Sequence, residues 1–392
     1  MPNSHILPIH KRLDVAFKKG KGVHIIDDKS RKYLDFGAGI AVNALGHCHP
    51  KLVKAIQKQS KKLWHVSNAY KINELETLAN LITKNTFADY AFFCNSGAEA
   101  IECVIKMIRK YFYDKKQDKY EIITFKGSFH GRTLATIAAS NNEKYLEGFA
   151  PKLEGFKSAK FNDIESVKKL INKNTAGILI EPIQGEGGII PADKQFMKDL
   201  AKLAKENDLL LALDEVQCGV GRTGYLYAYE YYGIKPDIIA SAKGLGGGFP
   251  VGACLATKKA ASGMKFGTHG TTYGGNPLAM KVTKTVLDLI LQKDFLENIK
   301  TNGELLQNGL KELQNEFPKI VKEVRGIGLM LGLELNTKYS NLDFVNILKY
   351  CGLLAIAASQ NTVRFIPPLI IEKKHIKKAI LIVKSALLKT NS

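Results

Sequence analysis

No stretch of the 392-residue sequence holds the roughly 18–20 consecutive apolar residues that a bilayer-crossing helix requires. The N-terminus, MPNSHILPIHKRLDVAFKKG, has no apolar core behind its charges, so no secretory signal is expected. The six cysteines (Cys48, Cys94, Cys103, Cys218, Cys254 and Cys351) form no C-x-x-C pair. Their scatter argues against a disulfide framework or a zinc site and suits a cytoplasmic location. Histidines such as His47, His49, His130 and His269 lack the close spacing of metal ligands. No G-x-x-x-x-G-K-[ST] occurs, which excludes a P-loop. Repeats, low-complexity tracts and Pro/Gly/Ser linkers are absent as well.

Arginine is the informative shortage. Seven of the 57 basic residues are arginines, leaving 50 lysines and a formal charge of +20. The lysines run along the whole chain on amphipathic patterns such as VKKLINKN, which reads as a solvated coat. A basic nucleic-acid-binding protein is the reading that charge alone would favour, and this even spread speaks against it. Where lysine is the default cation, an arginine in an apolar or glycine-rich setting points to a need for its planar fork.

From about residue 91 to 257, short apolar runs alternate with helical patterns: YAFFCN, EIITF, AGILIEP, LLLALDE, DIIASA and ACLAT, with helices such as FMKDLAKLAKENDL between them. Buried strands interleaved with helices predict an α/β architecture around a mostly parallel sheet covered on both faces. After about residue 287 the texture mixes strands and helices without regular alternation, predicting a smaller α+β domain. The strand-like N-terminus (GVHIIDD, KYLDF) suits packing with it. The expected division is 1–60 as an N-terminal segment packing with the small domain, 61–287 as the large α/β domain, and 288–392 as the small domain.

Several loops at strand ends carry chemistry. In CNSGAEA (94–100) a strand turns through Ser96-Gly97-Ala98 into a helix, whose unpaired N–H groups and dipole suit a phosphate. Ser96 equally suits a simple helix cap. LLLALDEVQ (209–217) ends an apolar strand at Asp214, a place for holding a protonated ring nitrogen or for an ion pair. DIIASAKGLGGGFPVG (237–252) sets Lys243 just past a strand among glycines, where burial would depress its pKa and make it a nucleophile. In SFHGRT (128–133) Phe129 offers a ring face, or core packing, and Arg132 a fork for a carboxylate. Arg364, in the apolar strand TVRFIPPL, needs an acidic partner or an anionic ligand. EPIQGEGG (181–188) supplies Glu181 and Glu186, either of which also suits a structural role. Gly219-Val-Gly221-Arg-Thr-Gly224 matches a dinucleotide fingerprint in letters only. The tyrosine-rich YLYAYEYYG follows it, and Asp237 begins a strand instead of ending one.

Taken in order, YLDFGAGIAVNALGHCHP (33–50), NSGAEAIE (95–102), FHGRT (129–133), EPIQGEGG, LDEVQCGVGRTG (213–224), SAKGLGGGFPVGA (241–253), HGTTYGGNP (269–277) and VRFIPP (363–368) resemble the class III (ornithine-type) aminotransferases. The likeness runs nearly end to end. It implies the pyridoxal-phosphate transferase fold type I and pyridoxal 5'-phosphate as cofactor. It further implies that Lys243 holds the cofactor and relays the proton, while Asp214 pairs with the pyridine nitrogen. Val216 and Phe129 would pack on the ring and Gln217 would reach its phenolic oxygen. Ser96, Gly97 and Ala98 would hold the phosphate, completed by Thr272 of a second copy in a homodimer with shared sites. Arg364 would clamp the α-carboxylate of glutamate, releasing Glu186 as its alternative partner. Arg132 would take the distal carboxylate, with Thr271 near the acyl end. The family pattern often carries Thr where this chain has Ala98, which removes one hydroxyl donor from the expected phosphate site and leaves the backbone donors. Within the family the resemblance is greatest to the branch that moves the terminal amino group of N-acetylornithine to 2-oxoglutarate in arginine biosynthesis. Ornithine, succinylornithine, succinyl-diaminopimelate and 4-aminobutyrate are the alternative donors, and neither nucleic acid nor membrane is an expected partner.

Overall fold

A computed structural model describes residues 5–10 and 12–391. Among these, a seven-stranded sheet runs in the order Tyr90–Cys94, Gly252–Ala256, Ile238–Ser241, Leu210–Asp214, Thr175–Ile180, Glu121–Phe125, Phe156–Ala159. Every strand is parallel to the rest except Gly252–Ala256, which is antiparallel to both of its neighbours. The central strands TAGILI and LLALD are buried along their whole length. That is why they read as unbroken apolar runs and not as an alternation: helices cover both faces. The edge strand Phe156–Ala159 escaped the sequence reading because FKSA is short, half-buried and not apolar enough to stand out.

A second, antiparallel sheet is ordered Val321–Ile327, Met330–Leu335, Thr362–Phe365, Ile356–Ala358. N-terminal strands Phe17–Lys21, His24–Asp27 and Lys32–Asp35 form a third, and Leu353–Leu354 joins it in parallel with Lys32–Asp35. The start of the chain thus pairs with its C-terminal part. Asp35 secures the exit from the third sheet, accepting from Gly37 N and Ala38 N at 2.9 Å each and bonding His47 Nε2 at 2.8 Å. The helix Pro50–Gln59 packs on Pro277–Ile290.

The glycine-rich 219–224 segment is a buried turn. Arg222 within it donates to the carbonyls of Leu329 (3.1 Å) and Pro367 (2.5 Å), tying the large sheet's loops to the second sheet. All six cysteines are unbridged. Among the described residues no helix is long and apolar enough to cross a membrane, and no cluster of His, Cys, Asp or Glu is arranged to hold a metal.

Candidate active site

Five parallel strands deliver side chains to one edge of the central sheet. Asn95 and Ser96 follow Tyr90–Cys94, Phe129 and His130 follow Glu121–Phe125, and Glu181 follows Thr175–Ile180. Asp214 ends its own strand, and Lys243 lies just past Ile238–Ser241. All of these line a cavity of about 330 Å³, with Gly97, Ala98, Val216 and Gln217. The carboxyl edge of parallel strands is where an open α/β sheet leaves such a crevice.

The helix Gly97–Asp114 starts at this cavity. Ser96 caps it, its hydroxyl accepting from Glu99 N (3.2 Å) and donating to the Glu99 carboxylate (2.9 Å). The same carboxylate accepts from Asn95 N at 2.9 Å. Both readings of the turn therefore coexist. The Ser96 hydroxyl is engaged in the cap, while the N–H groups of Gly97 and Ala98 open the helix with no acceptor among the described residues. Gly97 cannot be larger without adjustment, since a Cβ would meet Val216 Cγ1 at 2.8 Å.

Asp214 is buried, accepts from Val216 N (3.1 Å) and bonds His130 Nδ1 at 2.7 Å. Burial pulls His130 toward its neutral form, but the Asp214 hydrogen bond and the charges of Asp214 and Glu181 outweigh it and raise its pKa. Burial, reinforced by Asp214, pushes the Glu181 carboxyl up to about 7, although it accepts from Phe129 N (3.0 Å) and Gly185 N (3.2 Å). Lys243 is drawn the other way. Enclosure by protein, then the positive charge of Arg364, lower its amine to about 8, with Asp214, Glu181 and Glu186 opposing. Its backbone is left-handed (φ 44°), a conformation that costs a non-glycine residue energy and is tolerated where surroundings enforce it.

Arg364 is 2% exposed in the strand Thr362–Phe365. Its Nη2 lies 3.0 Å from Glu186 Oε2 and donates to Ala357 O at 3.0 Å, while Nε and Nη1 have no partner among the described residues. The Glu186 side chain is 37% exposed, so it has room to turn away. Arg132 sits outside the cavity lining, its guanidinium 3.9 Å from the Tyr145 ring centre and 5.6 Å from that of Phe129. Among the described residues it makes no ion pair. Thr271 and Thr272 are not brought into this cavity by their own chain. Thr271 Oγ1 accepts from Gly274 N (3.2 Å) and from the cavity residue Asn95 (3.4 Å), and Thr272 is exposed beside it.

The Aminotransferase class-III family pattern matches residues 8–387. This chain is a class III aminotransferase. An acetylornithine aminotransferase of Agrobacterium fabrum is 50% identical over 376 residues, 96% of this chain and 94% of the relative. One of Aquifex aeolicus is 44% identical over 385 residues, covering 98% and 100%. Among solved structures, the ornithine aminotransferase from Toxoplasma gondii ME49 superposes with a TM-score of 0.95 at 30% identity, covering 99% of this chain and 93% of that one. The N-acetylornithine aminotransferase from Stenotrophomonas maltophilia K279a gives 0.85 at 35%, covering 97% of each.

Class III aminotransferases depend on pyridoxal phosphate, and the residues here fit it. Gln217 Oε1 and His130 Nε2, both on residues that line the cavity, are buried without a partner among the described residues, as are two nitrogens of Arg364, which lies outside the lining. Each such orphan costs about 1–3 kcal/mol, so the two on the cavity residues mark a place for polar ligands. Gly185 makes room for Gln217, as a Cβ there would lie 2.4 Å from its amide nitrogen. In this class III aminotransferase, His130 and Tyr145 are neighbours of the site that the sequence did not single out. His130 meets Asp214 across 84 positions of sequence, and Tyr145 lies in a short helix, Glu143–Leu146, with no motif of its own. The one local signal was the position of His130 between Phe129 and Arg132.

Proposed function

We propose that this class III aminotransferase binds pyridoxal 5'-phosphate and moves the terminal amino group of N-acetyl-L-ornithine to 2-oxoglutarate, giving N-acetyl-L-glutamate 5-semialdehyde and L-glutamate. When bound, the cofactor supplies an aldehyde that takes up amines and a ring that draws electrons from the bond being broken. Lys243 would hold it and carry the proton to and from the substrate carbon, a role suited to an amine lowered to about 8. Asp214, backed by His130, would keep a proton on the ring nitrogen through a charge-assisted bond. Val216 and Phe129 would pack on the ring, Gln217 would reach its phenolic oxygen, and Gly97 and Ala98 would donate to the phosphate with Ser96 framing the turn.

Thr272 would complete the phosphate site of a second copy. Its exposure, beside exposed Tyr273, Trp64 and Tyr70, supports a homodimer interface on this face.

The Arg364–Glu186 pair carries the reading. The two half-reactions present different groups to one pocket: glutamate brings a carboxylate next to the reacting carbon, and the terminal amine of acetylornithine does not. A buried arginine facing both needs a partner it can release. Glu186 pairs with Arg364 for the second and turns to solvent for the first. Arg132, whose guanidinium stacks over Tyr145 beside the cavity residue Phe129, would take the distal carboxylate, and Thr271 would stand near the acyl group. Ornithine is the second reading, supported by the likeness to the Toxoplasma gondii enzyme.

The test is a visible spectrum of the purified protein, with Lys243→Ala alongside. A yellow enzyme that bleaches with N-acetylornithine and recovers with 2-oxoglutarate is the expected result. Bleaching by ornithine in place of N-acetylornithine moves the donor assignment, and a protein that stays colourless after reconstitution refutes the cofactor.

A further inference from the structure

We infer that Arg325 is a positioning residue for the Glu186 switch: it pins the backbone of the 186–189 segment so that only the Glu186 side chain moves. Arg325, Gly332 and Arg364 lie opposite one another on three adjacent antiparallel strands. Directly opposed residues share a face, so both arginines stand on the side of the sheet that carries this segment. At one end Arg364 reaches the Glu186 carboxylate. At the other, Arg325 Nε and Nη2 converge on the carbonyl of Gly188 at 3.0 and 2.7 Å. Ser359 N donates to the Glu186 carbonyl at 3.0 Å, adding a third tether.

The clamp is itself braced. The Arg325 side chain is 10% exposed, and its remaining donors go to Thr362 Oγ1 (2.8 Å), Glu323 (2.7 Å) and the Glu334 carboxylate. Two glycines let the segment lie flat on the sheet. A Cβ on Gly332 would meet Ile189 Cβ at 2.9 Å, and one on Gly188 would meet Ser359 O at 2.9 Å. A guanidinium held by two carboxylates and a hydroxyl is rigid, so the carbonyl it grips is rigid too. The consequence is a switch whose backbone stays in place whichever way Glu186 points.

This inference rests on the switching role proposed above for Glu186. If the tether is lost, the Glu186 carboxylate reaches Arg364 less often. Arg364 is then left charged and unpaired beside a cationic terminal amine, while glutamate, which supplies its own carboxylate, is spared. Single-turnover rates with L-glutamate and with N-acetylornithine should therefore separate in Arg325→Gln holoenzyme. The ratio of the two half-reaction efficiencies (maximal single-turnover rate over apparent Kd) should rise about tenfold in favour of glutamate, the scale of one charge-assisted contact. Arg325→Lys, which keeps charge but not the fork, should rise less. Adding Arg325→Gln to Glu186→Gln should produce no further split, since both act through one carboxylate. Hydrogen exchange supplies a readout apart from turnover: the Ser359 amide should lose protection in Arg325→Gln.

Equal losses with both substrates in Arg325→Gln, or unchanged Ser359 protection, would overturn the inference while leaving the Glu186 switch intact. Equal changes with both substrates in Glu186→Gln would overturn the switch and the inference with it. If Arg325→Gln does not fold, Gly332→Ala displaces the same segment through Ile189 and is expected to split the half-reactions in the same direction; no split there counts against the clamp.

Discussion

Replacing Lys243 by methionine should stabilise the cofactor-free enzyme at neutral pH, and the gain should vanish in alkali. The amine falls from an ordinary 10.5 to about 8 through enclosure and the charge of Arg364. Because the folded value lies below the unfolded one, its contribution is fully favourable above pH 10.5 and is lost as pH falls through about 8. At about 1.4 kcal/mol per factor of ten, keeping the lysine charged inside the fold costs about 3 kcal/mol at pH 7. Water entering the cavity screens part of this, leaving about 1–3 kcal/mol. Methionine has similar length and no charge, so Lys243→Met should recover that amount. Urea unfolding of the two apo-enzymes at pH 7 and near pH 10.5 measures it, with the difference expected at the first and absent at the second. Equal stabilities at pH 7 would show that the amine is not held at a depressed pKa. A difference that persists unchanged at pH 10.5 would show that packing, and not charge, is its source.

Gly97→Ala should leave the apo-enzyme folded but weaken pyridoxal phosphate binding roughly tenfold, because the new Cβ forces Val216 into the cavity; equilibrium dialysis measures it. His130→Leu removes the 2.7 Å partner of a buried Asp214 and should destabilise the fold by about 3 kcal/mol at pH 7, as read by thermal unfolding. Burial raises Glu215 to about 8, against backbone hydrogen bonds from Ala228 and Tyr229 that lower it. Its stabilising contribution is complete below its unfolded value near 4.5 and is lost as pH rises through about 8, so Glu215→Gln should flatten the decline in stability between pH 5 and 8.

Lys243, Asp214, Phe129 and the Ser96 turn were legible because each sits at or just past a strand end, and strand ends are marked locally, whereas Val216 and Gln217 came from the family resemblance. An apolar run stops at a Gly, Pro or acid, and the next residues face the crevice. Arg364 was legible for a different reason. In a lysine-coated chain a lone arginine in an apolar strand is conspicuous, whereas its pairing with Glu186 came from the family resemblance, since EPIQGEGG offers Glu181 as well. The edge strand Phe156–Ala159 was not legible, since four residues of mixed polarity carry no periodic signal. Arg325 was one of seven arginines with nothing in VRGIGL to say what it holds.

By itself the sequence determined the α/β alternation, the identity of the residues at the strand ends, and the family they belong to. These depend on short-range patterns of apolar, turn-forming and charged residues, which are written consecutively along the chain. The tertiary structure alone decided which groups meet across long separations: His130 with Asp214, Arg222 with the Pro367 carbonyl, and Arg325 with Gly188. It also decided the pKa shifts of Glu181, Glu215 and Lys243, which arise first from burial and then from charges that the fold brings near. Desolvation and Coulomb energy depend on distances in space, and a linear pattern does not contain them.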